Sequence, residues 1–204
     1  MSIFSLSGKT VLVTGASSGF GHHFAGVLGR AGARVVLGDR QVHKIQARVD
    51  ELSAAAHEVL GLPLDVRDVD SAKNFLTGAV EAFGGIDVLI NNAGVEAGAK
   101  TYTMIDDEDW DYVFDTNLKA AWRLSKFYTQ WVAEQGGTGS IVNIASITAY
   151  RTIKGQFPYA VSKAALVKAT EIMALEGARY GVRVNALAPG YILTDVSRIL
   201  LESE

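Results

Sequence analysis

Six short apolar runs, each separated from the next by a longer stretch of helical spacing, constrain this chain more than any of its other features. The runs are TVLVTG (10–15), ARVVLGD (33–39), EVLGLPLDV (58–66), IDVLINNAG (86–94), GSIVNIAS (139–146) and VRVNALAPG (182–190). Helix-like stretches lie between them, near 19–31, 41–57, 68–83, 106–134 and 157–180. Apolar strands without polar alternation must be covered on both faces, and strand–helix alternation makes the sheet parallel. The expectation is therefore an α/β chain with a doubly wound parallel sheet in three αβα layers, one domain over 1–204. Ligands on such sheets bind beyond the carboxyl ends of the strands. Each expected strand here ends in a small or polar signature (TG, GD, LDV, NNAG, AS, APG), which marks that edge as the functional one.

Composition narrows the function classes. The net charge of −3 offers no electrostatic reason for a nucleic acid or an anionic membrane as partner. The chain has no cysteine, which excludes disulfide and thiolate chemistry. Its first residues, MSIFSLSGKT, lack the basic and apolar regions of a secretory signal, and no apolar run reaches the roughly 18 residues of a membrane helix. A cytoplasmic protein acting on small molecules is expected.

The loop TGASSGFG joins the first strand to the first helix. Gly15, Gly19 and Gly21 let the backbone turn tightly and approach a diphosphate, with Ser17, Ser18 and Phe20 beside them. The helix that follows offers amide donors and the positive end of its dipole. The spacing is G-x-x-x-G-x-G rather than the commoner G-x-G-x-x-G. Asp39 ends the second strand, where an acid is expected to hold the ribose hydroxyls of a dinucleotide. Its charge opposes a 2′-phosphate, and Ser18 supplies no cation to offset it, so NAD is favoured over NADP. Arg40 argues the other way.

The stretch 106–134 carries Trp110, Val113, Phe114, Leu118, Ala121, Leu124, Tyr128 and Trp131 at helical spacing, with Asn117 on the same stripe. A buried amide must have fixed partners, either in the core or near a reaction centre. The acidic run DDED (106–109) fits the dipole at a helix start, and no metal site is expected. His22 and His23 read as partly exposed residues of the first helix, and His43 and His57 as surface positions on the second. In YAVSK, Tyr159 and Lys163 stand four apart on one helix face. An ammonium beside a phenol lowers the pKa of the phenol and suits it to proton transfer. Ser146 closes the fifth strand, where a serine also serves as a simple turn cap.

Taken together, TGASSGFG, NNAG (91–94), Asn117, Ser146 and YAVSK resemble the short-chain dehydrogenase/reductase family over about residues 6 to 195. The resemblance implies a Rossmann-type sheet of order 3-2-1-4-5-6 and an NAD(H)-dependent oxidoreductase acting on a secondary alcohol or ketone. It implies Tyr159 as general acid/base, Lys163 as the residue that lowers its pKa and binds the nicotinamide ribose, and Ser146 as holder of the substrate oxygen. Asn117 is implied to anchor a proton-relaying water. Asp65 and Val66 are implied to meet the adenine, and Asn92, Ala93 and Gly94 to back its ribose. Pro189, Gly190, Ile192 and Thr194 are implied to orient the carboxamide. Glu96, Tyr150 and Phe157 follow strand ends on the substrate side and are expected to line the pocket. A homodimer or homotetramer through 106–134 and 157–180 is implied as well.

The resemblance further implies a covering helix, another helix and a last strand after Gly190. The sequence to Glu204 has room only to begin the first, so a form truncated after about 195 is expected. Two other readings stand beside the main one. The first is an NADPH-dependent reductase of 3-oxoacyl thioesters, and the second is a non-catalytic dinucleotide-binding protein.

Overall fold

The computed structural model describes residues 4–190 and residue 192. Its strands are β1 (Thr10–Thr14), β2 (Arg34–Asp39), β3 (Val59–Pro63), β4 (Val88–Asn91), β5 (Gly139–Ile144) and β6 (Val182–Leu187). All pair in parallel, in the order β3-β2-β1-β4-β5-β6. The helices are α1 (Gly19–Arg30), α2 (Val42–Ala54), α3 (Val69–Phe83), α4 (Asp107–Phe114), α5 (Ala120–Gln135) and α6 (Phe157–Gly177). Winding reverses between β1 and β4, whose tips carry Gly15 and Asn92 and open the crevice at a topological switch point.

Successive β1 residues face opposite layers, as strand geometry requires. Leu12 packs with Phe75 of α3 and with Leu124 and Tyr128 of α5, while Val11 and Val13 pack with Ala25 of α1 and Ile45 of α2. Gly38 and Gly61 are strand residues for a packing reason. A Cβ on Gly38 would stand 2.6 Å from Leu64 Cδ2 and 2.7 Å from Phe75 Cε2, closer than real contacts allow.

The sheet also contains a polar seam that neither strand pattern announces. Asn91 and Asn143 are register partners on β4 and β5. Asn91 Nδ2 donates to Asn143 Oδ1 at 2.8 Å and to Ser125 Oγ of α5 at 3.0 Å. Asn143 Nδ2 donates to Thr170 Oγ1 of α6 at 2.9 Å. These buried amides fix the two strands against each other and against the helices that carry the site.

The stretch expected as one helix over 106–134 is two helices joined by a π-helical turn at Asp115–Lys119. Such turns reposition side chains and often mark functional sites. Asp106 caps α4 by accepting from Asp109 N at 2.8 Å, which is the capping role its acidic run suggested. His43 is exposed and His22 half-buried, but His57 lies past α2 and packs against Gly29 rather than standing on a helix surface. No helix among the described residues is long and apolar enough to cross a membrane.

Asn143→Ala removes the central link of the polar seam and is expected to cost about 2 kcal/mol. That corresponds to a melting temperature lower by roughly 4–8 °C, and an unchanged thermal melt would refute the structural role given to the seam.

Candidate active site

A cleft of ≈ 580 Å³ runs across the carboxyl ends of the strands. At one end stand the glycine loop and Asp39, and at the other Ser146, Tyr159 and Lys163. Gly15 takes φ +64° and Gly19 φ +53°, backbone that favours glycine. A Cβ on Gly15 would stand 2.9 Å from Ala93 Cα, and one on Gly21 would stand 2.7 Å from Asn92 Nδ2. Asn92 ties the two strand tips together, donating to Thr14 O at 2.8 Å and to Gly15 O at 3.1 Å. Thr14 Oγ1 in turn accepts from the backbone N–H groups of Asn92 and Ala93.

Asp39 Oδ2 accepts from Ser17 Oγ at 2.9 Å, and its Oδ1 accepts from Gln41 N at 3.0 Å. Arg40 is exposed beside it on the cleft lining. Burial alone would raise the pKa of Asp65. Hydrogen bonds from Arg67 backbone and side chain, with the charges of Arg67 and Arg40, outweigh that and hold its carboxyl below the usual range. An open glycine cradle at the start of α1, a ribose-height acid and a cleft reaching to Tyr159 form a donor and acceptor set that fits a dinucleotide.

At the far end, α6 places Tyr159 and Lys163 one turn apart, with Lys163 Nζ 5.6 Å from the centre of the Tyr159 ring. Lys163 is 4% exposed and donates to Ile144 O at 2.6 Å, at the tip of β5. Burial pushes its ammonium down to about 8, against the opposing pull of Glu96. Ser146 leaves β5 in extended conformation, and its Oγ accepts from Thr148 N at 3.2 Å.

The tyrosine departs from expectation. Burial raises the Tyr159 pKa, a hydrogen bond with Ser146 opposes the rise and Glu96 adds to it. Lys163 does not contribute the lowering that the sequence suggested. Its ammonium is itself desolvated and is directed at the Ile144 carbonyl.

Most of the residues expected at the cofactor lie on the cleft: Gly15, Ser17, Ser18, Gly19, Phe20, Asp39, Arg40, Asp65, Val66, Asn92, Ala93, Gly94, Pro189, Gly190 and Ile192. Gly21 is buried beneath the loop instead. Thr194 lies outside the described residues. Asn117 is buried behind the wall. Its Oδ1 accepts from Val95 N at 2.8 Å, and its Nδ2 donates to Val95 O at 3.0 Å and to Ser162 Oγ at 3.1 Å.

Of the three expected pocket residues, Glu96 lines the cleft, and partial desolvation raises its carboxyl against the charge of Lys163. Tyr150 and Phe157 do not line it. Tyr150 is exposed, and the Phe157 ring packs beside Tyr102 and Trp110 with centroids 6.0 Å apart in each case. Sequence reasoning missed Tyr112, Thr116, Thr148 and Gln156, which line the cleft instead. Only their nearness to Ser146, Tyr159 and Asn117 could have pointed to them.

A family model described as short chain dehydrogenase matches residues 9–204. The chain belongs to the short-chain dehydrogenase/reductase family. It is 38% identical to dehydrogenase/reductase SDR family member 4 of Bos taurus, covering 97% of this chain and 70% of that one. It is 36% identical to a 3-oxoacyl-acyl-carrier-protein reductase of Thermotoga maritima, covering 97% of this chain and 79% of the relative. Among solved structures, an actinorhodin polyketide ketoreductase with NADPH superposes with a TM-score of 0.90 at 37% identity, over 95% of this chain and 74% of its own. Members of the family bind NAD or NADP, and a neighbour this similar carries NADPH. The ranking of NAD above NADP read from Asp39 is therefore withdrawn.

Lys163 yields a stability test. Below about pH 8 the lysine is charged in both folded and unfolded chains, and the folded state bears the full desolvation cost. Between about 8 and the ordinary lysine value of 10.5 the folded chain loses that proton first, so stability from this group rises with pH. Lys163→Met is expected to melt higher than the parent at pH 7, by a margin that narrows as pH rises through 8 toward 10. A lower melting temperature with no pH dependence would contradict the assignment.

Proposed function

We propose that this chain interconverts a secondary alcohol and a ketone with a nicotinamide dinucleotide, using Tyr159 as the proton-transfer residue. The observation that carries this reading is that Ser146, Tyr159 and the buried Lys163 line the same cleft as a glycine cradle and Asp39. Residues 1–204 are read as one dinucleotide-binding catalytic unit. The dinucleotide, when bound, supplies or accepts the hydride. The remaining work belongs to the chain. Ser146 Oγ and the Tyr159 hydroxyl hold the substrate oxygen from two sides, and in reduction the phenol gives its proton to that oxygen.

Burial raises the phenol, which favours the protonated form that gives its proton to a carbonyl oxygen. Lys163 is proposed to hold the nicotinamide ribose. Asn117 acts as a positioning residue, since its amide fixes Val95 on the cleft wall and Ser162 one turn along α6.

The adenosine end supports either dinucleotide chemistry. The Asp39 carboxylate favours free ribose hydroxyls, and the Arg40 guanidinium favours a 2′-phosphate. Reduction of a 3-oxoacyl thioester is the second reading, favoured by likeness to the Thermotoga maritima reductase. The faces of α5 and α6 leave Trp122, Ile172 and Leu175 exposed, which supports pairing of two copies there.

Tyr159→Phe is expected to lower kcat by about 10²–10⁴-fold while dinucleotide affinity, read by NADH and NADPH fluorescence, stays within about twofold. Parental turnover in that variant would refute the role of Tyr159. Binding of dinucleotide by the parent chain without turnover of any ketone or thioester would leave the non-catalytic reading in its place. Asp39→Ala is expected to shift the ratio of affinities toward NADPH.

A further inference from the structure

Among the described residues, the acids on the cleft lining are Asp39, Asp65 and Glu96. The first two are engaged: Asp39 accepts from Ser17 and Gln41, and Asp65 accepts from Arg67. They stand on neighbouring strand tips at the adenosine end, beside Arg40 and Arg67. Glu96 differs on both counts. Its side chain has no hydrogen bond or ion pair with any described residue, and it is exposed, so a bound molecule can reach it. It also stands at the reacting end, where its charge acts on Tyr159 and on Lys163. The backbone there is fixed. Asn117 bonds both backbone groups of Val95, at 2.8 and 3.0 Å, and a Cβ on Gly94 would stand 3.4 Å from Lys163 Nζ. Glu96 follows directly on this anchored pair, yet Lys163 does not bond to it, because its ammonium is directed at the Ile144 carbonyl.

We propose that Glu96 is a specificity-determining residue, which admits ketones or alcohols carrying a hydrogen-bond donor near the reacting carbon and turns away those carrying a carboxylate there. The inference rests on the oxidoreductase reading above and names its substrate class. An ionised carboxylate only accepts, so the group that meets it must donate, as an amide, hydroxyl or ammonium does. The charge of Lys163 favours the ionised form, against the partial desolvation that raises this carboxyl. Closing the cleft around a substrate removes more water from Glu96, which a donor offsets and an alkyl group does not. A substrate carboxylate would face a like charge in a place poorly screened by solvent. The cations Arg40 and Arg67 are at the other end of the lining and give it no compensation.

The test is the ratio of kcat/KM within matched pairs of ketones, 3-oxobutanamide against 3-oxobutanoate and 4-oxopentanamide against 4-oxopentanoate, with NADH or NADPH at neutral pH. Each pair sets a neutral donor against an anion of the same shape. The parent chain is expected to favour the amide at least tenfold. Glu96→Gln keeps the shape and removes the charge, and is expected to lower the ratio roughly tenfold, while Glu96→Asp keeps most of it. Any effect of Glu96 on Tyr159 or Lys163 acts on both members of a pair alike and cancels in the ratio. A circular dichroism melt checks that Glu96→Gln folds, and Glu96→Ala takes its place if it does not.

A parent ratio near one, a ratio that Glu96→Gln leaves unchanged, or a parent chain that reduces other ketones but neither amide would overturn the role of Glu96 and leave the oxidoreductase reading standing. A parent chain that binds dinucleotide but reduces no ketone and no 3-oxoacyl thioester would overturn the oxidoreductase reading itself, and the role of Glu96 with it.

Discussion

The hydrogen bond from Asn91 to Asn143 crosses the middle of a sheet whose interior is mostly apolar, and the geometry of the site depends on it. A parallel pair buried on both faces has little but shape to fix its register, because apolar side chains tolerate small slips. A buried amide pair tolerates none, since any slip leaves donors and acceptors unpaired in a low-dielectric interior. The seam continues outward, to Ser125 on α5 and to Thr170 on α6. It thereby fixes the tips of β4 and β5 relative to the two helices that flank the reaction centre. Ser146 leaves the end of β5, and Tyr159 and Lys163 project from α6 seven or more residues before Thr170. Their meeting in one cleft follows from a contact set that includes none of them.

The same logic shows what was legible in the sequence. Parallel pairing and the glycine loop depend on local pattern and were readable, whereas the strand order was supplied by the family resemblance. Tyr159 and Lys163 were readable because their relation is internal to one helix. Asn117 was recognised as an amide needing partners, but not as one that bonds both backbone groups of Val95 on the cleft wall. That orientation depends on the π-helical turn at Asp115–Lys119, which hydrophobic spacing does not reveal. Tyr150 and Phe157 were expected in the pocket because they follow strand ends. The path of the chain between Ser146 and α6 decides otherwise, placing Thr148 and Gln156 on the cleft lining and leaving Phe157 tilted against Trp110. A loop's inward and outward faces have no period, so composition could not have separated the four.

Lys163 joins the physical threads. Its ammonium is buried at a cost, and one hydrogen bond to the Ile144 carbonyl with the distant charge of Glu96 offsets only part of it. A core position free of function would hold an apolar residue here, because a buried charge with incomplete partners is rarely the stable choice. The carbonyl it meets is the last of β5, one residue before the turn that brings in Ser146. The ammonium is thus anchored to the strand that presents one reacting hydroxyl and to the helix that presents the other. Burial raises the phenol above its ordinary 10.0 and lowers the ammonium from 10.5 to about 8, so the order of their proton affinities reverses and the gap between them widens. The phenol therefore holds its proton more firmly than the ammonium does, and the desolvation that weakens the fold is what sets that order.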